Sequence, residues 1–164
     1  GGLSEAYSNA DHVDTRSVLS IADQLKEKYP SIHFSASATQ EALSRGAHKP
    51  GKVMHDDAGG LKVVGDVLLR EDDALFYLLY LLYFNKLYQL YGLTGQQPAL
   101  KRLTFTDFKA AYRQIGMRVD EASQAAQFQA VVKQAQAKGE VKTVAMFNDA
   151  VECIARSRLT SASI

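Results

Sequence analysis

The stretch that decides the fold is DVLLREDDALFYLLYLLYFNKLYQLY, residues 66–91. Within it, every residue from Ala74 to Phe84 is apolar or tyrosine. A surface helix shows one apolar stripe, whereas a helix that is apolar on all sides is enclosed by protein. A membrane span needs about 18 or more apolar residues, so this run is too short for one. The pattern therefore predicts one long helix over residues 66–91 that organises the core of a helical bundle.

Tyrosine is the unusual component of this predicted helix. A buried tyrosine needs a partner for its hydroxyl group, and tyrosine is enriched at half-exposed protein interfaces. The helix is therefore either enclosed by its neighbours or packed on one face and bound to a partner on the other, and the two possibilities are not exclusive. The candidate interaction residues are Tyr77, Tyr80, Tyr83, Tyr88 and Tyr91.

Helix caps and the 3.6-residue period predict further helices on both sides of this stretch. Six or seven helices with short connections indicate an all-α fold. We expect a flexible N-terminus over residues 1–13, a single helical domain over residues 14–158 and a flexible tail over residues 159–164. The further helices are expected from Asp14 or Thr15 to Tyr29, Ser37 to Arg45, Thr104 or Thr106 to Ile115, Asp120 to Lys138, and from Thr143 onward.

The composition excludes several classes of protein. The 164 residues are 46% hydrophobic with a net charge of +1, so they can bury a core and do not form a disordered charged tail. A single cysteine, Cys153, cannot form an internal disulfide, and its place beside an apolar helix face predicts a small buried side chain. The balanced charge argues against a nucleic-acid partner.

Residues 46–65 contain five glycines and Pro50 and are expected to form a long loop, or a loop with a short helix around Val53–Asp57. Residues 46–52 match the start of a phosphate-binding loop, but Val53 replaces the Ser or Thr that would hold magnesium. The nearby His48, His55, Asp56 and Asp57 lack the fixed spacing of a metal site. An enzyme that uses phosphate or metal at residues 46–57 is thus an alternative, but we expect no catalysis, no cofactor and no metal.

The segment from Phe105 to Ile154 resembles a pair of EF-hands. With Gly139 at the sixth loop position, Val141 takes the eighth, where calcium loops carry their bridging strand. The ligand positions then lack the carboxylates that calcium requires. The resemblance implies a degenerate EF-hand-like regulatory module that binds a partner helix without calcium and has a two-stranded bridge through Val141. A plain helical hairpin would explain the same spacing.

The order of features along the whole chain is similar to the MIX family of kinetoplastid mitochondrial membrane-anchored scaffold proteins. These features are an amphipathic helix before Pro30, a glycine-rich middle, DALFYLLYLLYFNKLYQLYG at residues 73–92, and an Ala- and Gln-rich C-terminal half. The resemblance implies an all-α fold with helical hairpins like those of tetratricopeptide repeats. It also implies a mitochondrial, non-enzymatic scaffold for protein–protein interaction, tied to respiratory-complex assembly or mitochondrial segregation. The expected partners are other proteins, including a second copy in a homodimer, with membrane contact only through a segment upstream of Gly1.

Overall fold

The computed structural model describes residues 15–30, 35–58 and 60–162. The described chain divides into two compact units, one ending at Leu82 and the other beginning at Tyr83, and each is described by itself. The helices are α1 (Thr15–Lys28), α2 (Ala36–Gly46), α3 (Glu71–Leu90), α4 (Phe105–Ile115), α5 (Glu121–Ala137) and α6 (Phe147–Ala162), with a 3-10 turn at Pro98–Leu100. The strands are β1 (Lys49–His55), β2 (Leu61–Leu68), β3 (Arg102–Leu103) and β4 (Ala145–Met146).

The prediction of an all-α fold is wrong. The described residues combine helices with two small antiparallel sheets, β1–β2 and β3–β4, so the fold is mixed. The expected single domain over residues 14–158 stays a prediction, because two compact units can belong to one domain. No helix within the described ranges has both the length and the hydrophobicity of a membrane span.

The glycine-rich segment is a β-hairpin in the first unit, not a loop or a helix. Val53 lies opposite Val63, and a bulge interrupts the register between Pro50 and Lys52. Gly51 lies at this bulge with φ +61°, and an added Cβ would come within 2.9 Å of the Val63 side chain. Glycine is therefore required at this position by the bulge. In the sequence alone, a glycine at a β-bulge cannot be distinguished from a glycine in a loop.

Helix α3 begins at Glu71, so the prediction of a helix from residue 66 is wrong at its start. Residues 66–68 belong to β2, because Val67 is buried opposite Pro50 of β1. The Arg70 backbone N–H donates to Asp73 Oδ2 at 3.0 Å, which is half of a capping box. Acidic side chains in the first turn also favour a helix start through its dipole.

The second unit follows its predicted caps closely. Thr104 and Asp107 form a full capping box at the start of α4, and the Asp120 side chain caps α5. Gly116 ends α4 with φ +81°, in the left-handed conformation that glycine adopts easily.

The start of α6 differs from the prediction. Thr143 does not cap this helix, since β4 comes first and α6 begins at Phe147. The helix continues to Ala162, so residues 159–162 of the expected tail are helical. Pairing of Ala145 with Leu103, far away in the sequence, therefore sets where this helix starts.

Candidate functional site

The five candidate tyrosines differ in their exposure to solvent. Tyr77 and Tyr80 are 0% exposed and Tyr83 is 6% exposed, so their side chains lie in the core. Tyr88 and Tyr91 are half-buried. The role of these residues as interaction anchors stays a prediction, in which Tyr88 and Tyr91 are the members that solvent reaches.

The hydroxyl groups differ as well. Tyr91 Oη donates to the Asp107 backbone oxygen at 2.6 Å, and burial, followed by the Asp107 charge, raises the pKa of this phenol. Tyr77 Oη is buried and has no hydrogen-bond partner among the described residues. Burial, followed by the charge of Asp23, raises the pKa of Tyr77 too. The Tyr77 hydroxyl therefore has a desolvation cost that no hydrogen bond offsets among the described residues, whereas the Tyr91 hydroxyl offsets its own cost with a hydrogen bond.

The hairpin does not form a phosphate-binding loop. Such a loop follows a strand and precedes a helix, whereas Gly46 ends α2 and Lys52 lies exposed in β1. His48 and His55 lie seven positions apart along an extended strand, roughly 20 Å from each other. The Asp56 carboxylate accepts the backbone N–H groups of residues 58 and 60. Among the residues that the structure describes, no three His, Cys, Asp or Glu side chains group as a metal site.

The second unit contains the two-stranded bridge that the EF-hand resemblance implies, but in a different register. Leu103 of β3 pairs with Ala145 of β4, whereas Val141 is 89% exposed. The prediction of a bridge through Val141 is therefore wrong by four residues. With Leu103 and Ala145 at the eighth position, the two loops span residues 96–107 and 138–149, and each ends with an aspartate.

In this register, a lysine side chain of the second loop lies where a calcium loop would bind the metal ion. Lys138 occupies the first loop position, and its Nζ lies 3.6 Å from Oδ1 of Asp149 at the twelfth. These two positions normally provide carboxylates to calcium. Glu140 accepts a hydrogen bond from Arg102 Nε of β3 at 2.7 Å, and this bond lowers the pKa of Glu140. A lysine and an arginine thus contact the carboxylates of this loop.

The second unit has a cleft of about 830 Å³ at the turn between α4 and α5. Its apolar lining includes Ala110, Met117 and Val119. The size is within the range of ligand-binding clefts. Its charged lining residues are Lys109, Arg113, Arg118, Asp120 and Glu121.

Three of these charged groups are bound within the cleft wall. Lys109 Nζ lies 3.2 Å from Glu121 Oε1 and 4.7 Å from the centre of the Phe105 ring. The Asp120 carboxylate accepts hydrogen bonds from the backbone N–H and the hydroxyl of Ser123, which lower the pKa of Asp120. With Lys109 paired to Glu121 and Asp120 still ionised, the two arginines leave the cleft lining with a net charge of +1.

Arg113 and Arg118 are not among the residues predicted from the sequence. The sequence feature that could have indicated them is their position on either side of Gly116, the residue at which α4 ends and the chain reverses. Two arginines on either side of a helix-ending glycine can reach the same side of the turn, although neither belongs to a motif. The cleft lining confirms that both lie at one surface.

Cys153 is a half-buried side chain on α6. Burial, followed by the charge of Glu152, raises the pKa of its thiol to about 11. A reactive cysteine needs a lowered pKa, so this thiol lacks the property of a nucleophile. Its Sγ lies 3.9 Å from Gln127 Oε1 of α5, which is a contact between helices.

No family model matches the chain, and no curated protein matches it.

Proposed function

We propose that the protein is a non-enzymatic scaffold for protein–protein interaction. Its second unit is a degenerate EF-hand-like module that binds an acidic, amphipathic helix of a partner, and it does so without calcium. A role in respiratory-complex assembly or mitochondrial segregation, with mitochondrial localisation, belongs to the same proposal and depends on the MIX resemblance alone.

The observation that carries the proposal is the cleft between α4 and α5. Its apolar lining residues suit the apolar face of a helix, and Arg113 and Arg118 suit acidic side chains on that helix. A guanidinium group binds carboxylates with two parallel hydrogen bonds, which gives both attraction and orientation. An amphipathic helix that lies in a groove is a recurrent mode of peptide recognition.

Independence from calcium is supported by Lys138. Its ammonium group lies beside Asp149, so this loop contains a positive charge where a calcium loop binds the metal. The first loop begins with Gln96 and has Pro98 and Leu100 at its third and fifth positions, which provide no carboxylate. We therefore expect partner binding to be the same in calcium and in a chelator.

The test compares proteins captured from a cell extract by the wild type and by an Arg113→Glu/Arg118→Glu variant. The matched control is Lys133→Glu/Lys142→Glu, which changes two exposed cations of the same unit by the same charge. The proposal predicts a set of proteins that the wild type and the control retain and the cleft variant loses, with or without calcium. Quantitative mass spectrometry measures each set.

Peptides from the retained proteins then provide the direct measurement. Fluorescence anisotropy should show that an acidic helical peptide binds the wild type and the control more tightly than the cleft variant. The proposal is wrong if all three proteins capture the same set, or if binding requires calcium. Circular dichroism of each variant establishes that the helices are intact.

A further inference from the structure

Helix α3 has a stripe of leucines that the core does not fully enclose. The members of this leucine stripe are Leu75, Leu78, Leu79 and Leu82, at the three- and four-residue spacing of one helix face. Leu75 is 39% exposed, and the other three leucines are half-buried. Tyr77, Tyr80 and Phe84 lie on the opposite side of the helix and are buried. The leucine stripe is therefore the side of α3 that its neighbours leave partly open to solvent.

A stripe of this kind requires an explanation that single leucines do not. Scattered apolar residues are common on protein surfaces, and the open face of a helix is normally polar. A continuous apolar patch, by contrast, marks an interaction surface. The leucine stripe therefore indicates a docking surface, and the charges at its two ends indicate what docks there.

One charged residue lies at each end of the leucine stripe. Asp72 precedes the stripe and Lys86 follows it, each seven positions from Leu79. At 100° per residue, these three side chains lie within about 40° of one another around the helix axis. Asp72 and Lys86 are exposed, and neither side chain forms an ion pair or a hydrogen bond with the residues that the structure describes. Both charges are therefore available to a ligand of the stripe.

This arrangement is complementary to a second copy of itself. A two-fold symmetric interface uses the same surface of both copies, so that residue i contacts residue j and j contacts i. When two α3 helices pack antiparallel with the symmetry axis at Leu79, Asp72 of each copy lies beside Lys86 of the other. Leu75 of each copy then lies near Leu82 of the other, in an apolar seam between the two ion pairs. A parallel arrangement would instead place like charges together at both ends.

We propose that the protein forms an antiparallel dimer through the leucine stripe of α3, with an ion pair between Asp72 and Lys86 at each end. The stripe shares no residue with the cleft between α4 and α5. A dimer therefore has two copies of that cleft and can bind two partner helices at once, which raises the avidity of the scaffold. This consequence, unlike the dimer itself, rests on the proposed function.

The first experiment measures the dissociation constant of the dimer by analytical ultracentrifugation of the full chain across a concentration range. Leu75→Gln/Leu82→Gln removes four leucines from the seam of the dimer and should weaken it on the order of 100-fold. The matched control is Leu100→Gln/Val141→Gln, at apolar residues that are 65% and 89% exposed. This control should leave the dissociation constant unchanged.

The second experiment exchanges the charges at low salt. Asp72→Lys and Lys86→Asp each place like charges together at both ends of the seam, so each should weaken the dimer roughly tenfold. The combined Asp72→Lys/Lys86→Asp chain restores opposite charges at both ends and should recover the wild-type dissociation constant. Circular dichroism establishes that each variant keeps its helices. Because Asp72 and Lys86 are exposed, these variants decide the question even where the leucine variant unfolds.

The proposal is overturned if the wild type stays monomeric, or if both single charge variants dimerise like the wild type. It is also overturned if Tyr88→Ala weakens a dimer that the leucine variant retains, since Tyr88 lies on the opposite side of α3. A monomer that binds phosphatidylcholine vesicles through these leucines would assign the stripe to a membrane instead. The Arg113→Glu/Arg118→Glu variant should still dimerise, so this proposal and the proposed function fail separately.

Discussion

The two halves of α3 have similar composition and different surroundings. In the half that belongs to the first unit, Tyr77 and Tyr80 are fully buried. In the half that belongs to the second unit, Tyr88 is half-buried, and Tyr91 just beyond the helix end is half-buried too. Tyrosine thus serves as an enclosed core side chain in the first half and at Tyr83, where the second unit begins, and as a boundary side chain only at Tyr88 and Tyr91.

This difference shows what an aromatic run does and does not specify. A helix that is apolar on all sides over three turns must be enclosed by neighbouring elements. Whether a given tyrosine hydroxyl forms a hydrogen bond depends on which groups of those elements lie beside it. Tyr91 Oη reaches the Asp107 backbone oxygen, whereas Tyr77 Oη lies near the charge of Asp23 without a hydrogen bond. Burial is therefore encoded locally, and hydrogen bonding depends on tertiary structure.

The largest expected effect tests burial in the second half of α3. The Phe84 ring is 2% exposed and meets the Phe147 ring edge-on at 5.2 Å. We expect Phe84→Ala to lower the free energy of unfolding by about 3–5 kcal/mol, since it leaves a cavity. Leu90→Ala, at a side chain 37% exposed, should cost less than about 1 kcal/mol. Urea unfolding followed by circular dichroism measures both, and equal costs would contradict the assigned burial.

Alkaline pH provides the next test, on the first half. Burial raises the pKa of Tyr77 above its usual value of 10, so the folded state keeps a proton that the unfolded chain releases. Ionisation of this one phenol therefore leaves the free energy of unfolding unchanged below about pH 10 and lowers it as pH rises further, by about 1.4 kcal/mol per pH unit. Tyr77→Phe should make this decline shallower. Urea unfolding at several alkaline pH values measures the slope, and the same slope in both proteins would refute the assignment.

The same substitution at two tyrosines should have opposite effects. Tyr77→Phe removes a buried hydroxyl that has no partner among the described residues, so we expect a gain of about 1 kcal/mol. Tyr91→Phe removes the hydrogen bond to the Asp107 backbone oxygen, so we expect a loss of about 1 kcal/mol. Thermal and urea unfolding at neutral pH measure the two changes, and changes of the same sign would remove the distinction between the two hydroxyl groups.

Local signals predicted the second unit well. Thr104 and Asp120 are N-caps, and Gly116 ends a helix, so each boundary depends on residues within a few positions of it. The same signals failed at α6, because Ala145 pairs with Leu103 instead of entering the helix. A pairing across more than forty positions leaves no local pattern.

The hairpin and the cleft were beyond sequence reasoning for related reasons. Gly51 serves a bulge in a strand, yet a glycine-rich segment is more typical of a loop. Arg113 and Arg118 become neighbours of one cleft only after the chain reverses at Gly116. The EF-hand resemblance predicted a bridge but not its register, because Gly139 was taken as the sixth loop position, whereas pairing of Leu103 with Ala145 makes it the second.

The substitution Tyr88→Ala has the smallest expected effect on folding stability and tests directly whether Tyr88 is an interface anchor. The Tyr88 ring stacks on Phe84 with centroids 6.0 Å apart and stays half-buried, so Tyr88→Ala should cost only about 1 kcal/mol in folding. An interface anchor contributes on the order of 2 kcal/mol, so the same change should weaken a dimer that Tyr88 anchors by about 30-fold. Light scattering across a concentration range measures this, with Tyr29→Ala as an exposed aromatic control. A wild type that stays monomeric throughout would refute self-association through α3 and leave the arginine-lined cleft as the interaction surface to pursue.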